Sequence, residues 1–369
     1  MIDSEQIAYI GDSSMQGFSD FLIRKSPERI FLVRDKTSYE LCGAKDILDN
    51  IFFGLGCQIN EFFDFEPNPK YEDLQRGLKV LNGFNADIIV AVGGGSVLDM
   101  AKLLRFFHAY SGDFITNKFQ QEKEVIPLCT LPTTAGTGSE ASHFAVMYKD
   151  NVKYSVAHSK MLSELAIIYP FFTYKNPPYL TACTGFDALA QAIEAFWNKN
   201  ATSYSDEFAL KAIKVLWDYL PIVVNNPSKI ARDLVSEAAY WAGKAINITK
   251  TTAPHAVSYP FTTYYGYPHG HAVALSFPFF AQLNFLKQAI DGPWNNSKKC
   301  ILLDQIGVPN ENLLKKYLVD FLNSINLPLK LQTVIDRKII VNNVNIERLE
   351  NNPFPVSEDD IESFLDHLE

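Results

Sequence analysis

At 369 residues, with 47% hydrophobic and 20% charged side chains, the chain has material for two domains with buried cores. A formal charge of −9 with scattered basic residues argues against a nucleic-acid surface, while leaving room for a local basic pocket that receives an anionic substrate. No run reaches the roughly 18 consecutive apolar residues of a membrane span, and the opening MIDSEQIAYIGDSS lacks the apolar stretch of a secretory signal.

In chain order, "RIFLVRD" (29–35) is a short apolar strand ending at a charged turn, and "AKDILDNIFFGL" (44–55) has helical spacing. "ADIIVAVGGGS" (86–96) is a β-branched run that stops at three glycines. "EVIPLCTLPTTAGTGSEAS" (124–142) is an apolar run that opens into a Thr/Gly/Ser loop. Short apolar strands separated by helices predict a parallel sheet covered on both faces. After "NPPYL" (176–180) the period changes to 3.6 residues, over 185–198, 205–220, 229–247, 270–287 and 311–324. The boundary falls near Pro177–Pro178, giving an α/β domain over 1–178 and an all-α domain over 179–369, with a cleft expected between them. Near the end, Ser357 precedes Asp360 by three residues, a capping-box helix start. The five cysteines are odd in number and far apart with no CxxC, as free thiols of a reducing compartment would be, so a cytoplasmic enzyme is expected.

Gly93-Gly94-Gly95-Ser96 follow a strand and open a helix, a geometry in which backbone N–H groups face a phosphate. The spacing is not the GxGxxG fingerprint, and such turns are common. Asp35, just after the first strand, is suited to accept hydrogen bonds from ribose hydroxyls, although a solvated turn would use it equally well. Thr133, Thr134, Thr137 and Ser139 bring hydroxyls to one loop.

In "GFDALAQAIEAFW" (185–197), Asp187 and Gln191 stand at i and i+4 on one helix face, and Glu194 continues that stripe as a structural hydrogen-bond partner. Leu189, Ile193, Phe196 and Trp197 form the opposite, apolar face, the pattern of a helix lining a cleft. Downstream, His255 and His269 each follow a proline, which predicts a loop or hairpin between them. With Asp187 they offer three N/O ligands and leave a coordination position for a substrate oxygen, as catalytic metal sites do.

Four ordered blocks, "GGGSVLDMAK" (93–102), "LPTTAGTGSEAS" (131–142), "TGFDALAQAIEAF" (184–196) and "HAVSYPFTTYYGYPHG" (255–270), resemble the iron-containing (group III) alcohol dehydrogenases of the dehydroquinate-synthase-like superfamily. The resemblance covers nearly the whole chain. It implies a Rossmann-like nucleotide domain and a small aldehyde or alcohol as substrate. Pyrophosphate contacts fall to Gly93, Gly94, Gly95 and Ser96, nicotinamide-side contacts to Asp99, and further cofactor contacts to Thr133, Thr134, Thr137, Ser139 and Lys153. It places Asp35 where an acidic residue selects NADH over NADPH. The family's metal ligands are Asp, His, His and His, so Asp187, His255 and His269 match three of them and Gln191 takes the remaining position. An amide oxygen is a weaker ligand than imidazole, which makes Zn²⁺ at least as fitting as Fe²⁺. Tyr259 stands where many members carry a proton-relaying histidine.

The 255–275 wording resembles a branch of phosphonoacetaldehyde reductases, so reduction of phosphonoacetaldehyde to 2-hydroxyethylphosphonate is the leading expectation. A polyol or sugar-acid dehydrogenase, a dehydroquinate-synthase-like lyase and a non-catalytic nucleotide-binding protein are the alternatives. The family also implies a homodimer.

Overall fold

The computed structural model describes residues 6–116, 118–150, 152–287 and 293–368. The chain divides into two compact units, Met1–Asn176 and Pro177–Glu369. Among the described residues no helix is long and apolar enough to cross a membrane.

Among its described residues the first unit holds ten strands in chain order: β1 (Ile7–Ile10), β2 (Arg29–Arg34), β3 (Gln58–Phe62), β4 (Ile88–Gly93), β5 (Tyr110–Asp113), β6 (Lys118–Gln121), β7 (Leu128–Pro132), β8 (Phe144–Lys149), β9 (Val152–Ala157) and β10 (Leu165–Ile168). Six of them form one parallel sheet in the order β1-β10-β7-β4-β2-β3, while β5-β6 and β8-β9 are separate antiparallel pairs. The inner strands of the sheet are apolar on both faces because both are covered. Phe31, Val33, Ile89 and Ala91 point into one core, and Ile30, Leu32, Ile88, Val90 and Val92 into the other.

The chain steps outward from β2 to β3, returns across to β4, and continues the opposite way to β7 and β10. The strand order therefore reverses between β2 and β4. In open parallel sheets ligands bind beyond the carboxyl ends of the strands at such a reversal. Asp35 follows β2 and Gly94 follows β4, so the two predicted cofactor elements flank that point.

The second unit is helical. The Pro178–Trp197 helix packs against the Ser203–Asn225, Lys229–Thr249 and His269–Leu286 helices. The polar stripe of the Pro178–Trp197 helix is buried, with Asp187, Gln191 and Glu194 2%, 4% and 0% exposed, because three neighbouring helices pack against it. One expectation needs correction here. The segment after His255 is not a loop or hairpin but a helix, Ala253–Tyr265. Pro254 lies in its first turn, where a missing N–H costs nothing, and Pro260 is tolerated further along. Gly266, at φ +72°, ends that helix in the left-handed conformation glycine adopts without strain. The Glu358–Asp366 helix starts with a capping box, Ser357 and Asp360 each bonding the other's backbone N–H.

Candidate metal and nucleotide sites

Three side chains from three helices converge in the second unit. His255 is the third residue of its helix and His269 the first of its own, so both imidazoles project from helix starts toward Asp187 in the middle of the Pro178–Trp197 helix. His255 Nε2 lies 3.1 Å and His269 Nε2 3.8 Å from Asp187 Oδ1, and one ligand atom from each residue lies within 4.8 Å of the others. His255 and Asp187 are buried, while the His269 side chain is 31% exposed, which leaves a side of approach.

Gly270 makes this convergence geometrically feasible. A Cβ there would stand 1.9 Å from the Cys183 carbonyl oxygen and 3.1 Å from Asp187 Cβ. Only a residue without a side chain lets the His269–Leu286 helix approach the Asp187 helix this closely. The sequence signal for it is the glycine of "PHGH" (268–271), directly after the His269 imidazole.

Behind the ligands lies a hydrogen-bonded chain. Glu194 Oε1 is 2.5 Å from His255 Nδ1, while its Oε2 accepts from the Thr252 backbone N–H at 2.6 Å and hydroxyl at 2.8 Å. Trp197 Nε1 donates to the same hydroxyl at 2.9 Å. With Nδ1 committed to Glu194, the Nε2 of His255 is the atom presented to Asp187. Burial opposes charge on this imidazole, but Glu194 and Asp187 outweigh it and bring His255 up to about 9.

Gln191 donates from Nε2 to Asp187 Oδ2 at 3.1 Å. Its Oε1 is buried without a hydrogen-bond partner among the described residues. An orphaned buried acceptor beside two imidazoles and a carboxylate fits a cation or a donor that the cation brings with it. The Tyr259 ring stacks on that of His269 at 5.8 Å, and its phenol hydrogen-bonds the Thr251 and Arg348 side chains. Burial holds the phenol above its usual range, with Arg348 pulling the other way.

The nucleotide elements are all in the first unit. Gly94 is the N-cap of the Gly95–Ala109 helix with no side chain capping it; the Val97 and Leu98 N–H groups donate to the Gly94 carbonyl, so Gly95 and Ser96 ahead of them supply the N–H groups that suit an anion. The three glycines differ in their constraints. A Cβ on Gly93 would meet Val97 at 2.4 Å and one on Gly95 would meet Thr137 at 2.6 Å, whereas one on Gly94 would touch only Thr134, at 3.5 Å. Gly93 and Gly95 are thus required by packing, and Gly94 leaves space that a ligand can use. Thr133 continues β7 beside this loop, donating its N–H to the Gly93 carbonyl. Ser96 Oγ accepts from the Asn68 N–H at 3.0 Å.

Asp35 caps its own turn: Oδ1 accepts from the backbone N–H groups of Thr37 and Ser38, and Oδ2 from the Ser38 hydroxyl. Asp99 accepts from the Ser139 hydroxyl at 2.5 Å and the Val146 N–H at 2.9 Å, with Lys153 adding positive field. One turn on, Lys102 is fully buried, donating to the Phe144 carbonyl and the Ser142 hydroxyl, and burial lowers it to about 8. Glu140 is buried near it and raised by burial to about 7. Lys102 and Glu140 were not singled out from sequence. The i, i+3 spacing of Asp99 and Lys102 on one helix face was the available signal.

A parallel α/β unit with a glycine-opened helix, followed by a helical unit presenting one carboxylate and two imidazoles, defines a class of nucleotide- and metal-dependent oxidoreductases. Comparison with known proteins makes this specific. The iron-containing alcohol dehydrogenase family model matches residues 6–170, and the model of the Fe-containing alcohol dehydrogenase family C-terminal domain matches residues 181–367. The chain belongs to the iron-containing alcohol dehydrogenase family and is an oxidoreductase. NAD-dependent methanol dehydrogenase of Bacillus methanolicus is 32% identical over 75% of this chain and 74% of that protein. Long-chain-alcohol dehydrogenase 1 of Geobacillus thermodenitrificans is 28% identical over 77% of this chain and 72% of that protein. The crystal structure of sulfoacetaldehyde reductase from Bifidobacterium kashiwanohense in complex with NAD+ superposes with a TM-score of 0.87 at 27% identity, covering 99% of this chain and 98% of that one.

Proposed function

We propose that the protein is an NADH-linked, divalent-metal-dependent reductase of a short polar aldehyde, acting also in the reverse direction as an alcohol dehydrogenase. The convergence of Asp187, His255 and His269 carries this reading. When bound, the cation supplies Lewis acidity toward a carbonyl oxygen and NADH supplies the hydride.

This chain's residues have separable tasks. Asp187, His255 and His269 hold the cation, with Gln191 completing the wall through its orphaned Oε1. Glu194 fixes the His255 tautomer, and Thr252 with Trp197 fixes Glu194. The Tyr259 phenol, next to His269, hands a proton to the product oxygen. The first-turn N–H groups of the Gly95–Ala109 helix receive the cofactor pyrophosphate, with Thr133, Thr134 and Thr137 alongside. Asp99 serves the nicotinamide side, and Ser139 and Lys153 make further cofactor contacts. Asp35 disfavours a 2′-phosphate and so selects NADH over NADPH.

For the substrate, we favour aldehydes carrying a sulfonate or phosphonate, sulfoacetaldehyde and phosphonoacetaldehyde foremost. Support comes from the "HAVSYPFTTYYGYPHG" block and from the likeness to a sulfoacetaldehyde reductase.

The test is NADH oxidation by purified protein with a panel of short aldehydes, with Zn²⁺ or Fe²⁺ added or with chelator present. Asp187→Ala and His269→Ala should each abolish turnover and metal retention together, and NADPH should be used at least about tenfold less well than NADH. Wild-type activity of those variants in chelated buffer would refute the metal assignment. A preference for NADPH would remove Asp35 from its role.

A further inference from the structure

Three residues, Lys250-Thr251-Thr252, join the Lys229–Thr249 helix to the helix of His255, and Lys250 makes the turn between them. Its backbone stands at φ +64° and ψ −175°, a region that essentially only glycine enters, because a Cβ there crowds the chain. Five other non-glycine residues among those described have positive φ, and four of these are Asn or Asp, which tolerate the left-handed turn. A lysine has no such local compensation.

Bonds from several elements impose the turn. The Lys250 N–H donates to the Ile246 carbonyl at 2.8 Å, and the Lys250 carbonyl accepts from Asn198 Nδ2 at 3.2 Å and from the Thr249 hydroxyl at 2.9 Å. The Thr251 carbonyl accepts from Asn351 Nδ2 at 3.1 Å. Thr251 and Thr252 are buried, and the N–H and hydroxyl of Thr252 both reach the Glu194 oxygen that does not face His255. The Lys250 side chain turns outward and pairs with Glu347 at 2.6 Å. Glu347 belongs to the short Ile346–Leu349 helix, and just ahead of it the Asn345 N–H donates to the Ala256 carbonyl at 3.3 Å. The ion pair thus ties the connector to the helix it enters.

A glycine-only conformation disfavours another residue roughly 5- to 150-fold. An ion pair with both partners over a third exposed offsets at most about fivefold of that. The remainder is carried by the buried bonds of the connector, so the turn stays in place only while tether and bonds act together.

We propose that Lys250 is a positioning residue for the metal site, whose glycine-only turn, held by the Glu347 tether and the connector bonds, sets Thr252 under Glu194 and so aims His255 at a cation. The proposal rests on the metal reading above and adds the joint that orients its supporting chain. Weakening the tether lets the strained turn relax and carries Thr252 away from Glu194. Removing the strain itself takes away the reason to relax.

The experiment compares wild type with Lys250→Ala, Lys250→Gly, Glu347→Gln and the double variant Lys250→Gly/Glu347→Gln. Three quantities are read: Zn²⁺ affinity in competition with a chromophoric chelator, the thermal midpoint of the metal-free protein, and the indole N–H resonance of Trp197, which bonds the Thr252 hydroxyl. Lys250→Ala keeps the strain without the tether, so Zn²⁺ affinity should fall about tenfold and the Trp197 resonance should move. Lys250→Gly loses strain and tether together and should bind Zn²⁺ within about threefold of wild type, with that resonance in place. Its thermal midpoint should exceed that of Lys250→Ala, the reverse of the usual order for these two residues. Glu347→Gln should lower affinity about threefold with Lys250 present and leave it unchanged in the Lys250→Gly background. This pair of comparisons carries the test if Lys250→Ala does not fold. Equal Zn²⁺ affinities of Lys250→Ala and Lys250→Gly would overturn the proposal and leave the metal reading standing, since Lys250 would then act through its charge or not at all. An equal effect of Glu347→Gln in both backgrounds would overturn it as well. If wild type binds no Zn²⁺, the metal reading and the proposal fall together.

Discussion

Glu194 is fully buried, and both its oxygens are committed, one to His255 Nδ1 and the other to Thr252. Glu194→Gln keeps the shape and removes the charge that favours a metal-ready tautomer. Metal affinity should drop about 10- to 100-fold, as competition with a chromophoric chelator would show, while the protein stays folded. An unchanged affinity would mean that Glu194 only braces Thr252. Glu140 makes a different kind of statement. Burial raises it to about 7 from an ordinary value of 4.5, so the folded state holds the proton more tightly than the unfolded chain does. The folded state therefore binds more protons between those two values, and its stability falls as pH rises through that window. Denaturant unfolding at pH 5 and at pH 7.5 should show a loss on the order of 2 kcal/mol in wild type that Glu140→Gln largely lacks. An equal slope in both proteins would assign the dependence elsewhere.

Among the secondary elements, Gly270 sets how close two helices can come. Gly270→Ala would drive a methyl group into the Cys183 carbonyl and push the His269–Leu286 helix off the Asp187 helix. A displacement of even about 1 Å at His269 should lower turnover about 100-fold, and overpacking should cost about 1–3 kcal/mol of stability. Retained activity in that variant would show that the helix can slide without harm. The elements themselves were unevenly legible. The runs 29–35, 86–96 and 124–142 announced β2, β4 and β7, because a central parallel strand is apolar on both faces. The edge strands β1 and β3 carry mixed, partly exposed residues and gave no such run. The Ala253–Tyr265 helix was missed because Pro254 and Pro260 weigh against a helix, although the first lies where proline is harmless. The candidate ligands were nonetheless found, since a carboxylate and two proline-framed histidines stand out by chemistry. The Arg348 partner of Tyr259 was not, because nothing local to "IERLENN" shows that the phenol lies across from it.

At the scale of the whole chain, the candidate cofactor elements fall before Asn176 and the candidate metal ligands after Pro177. Binding of the two groups should then be separable by mutation. Gly94→Ala is accommodated by the protein, with only an ordinary contact to Thr134, but it occupies the space a pyrophosphate needs. That variant should lose NADH binding at least about tenfold in a fluorescence titration while keeping its metal. Asp187→Ala should show the reverse, binding NADH after its metal is gone. Loss of both ligands in either variant would show that the two sites are coupled. The sequence changes its apolar period near Pro177. What it could not disclose is which glycines serve the fold and which serve a ligand, since that depends on Val97 and Thr137, which crowd two of them.

His255 and His269 stand at helix starts, and a helix start carries a partial positive charge. Both helix starts would oppose a cation held by these imidazoles, so they would weaken its retention relative to the same ligands elsewhere. Asp187, with Glu194 bonded to His255, would supply the compensating negative charge, and the balance between the two would set reactivity against permanence. A tighter grip on the ion would make a more durable protein and a poorer catalyst.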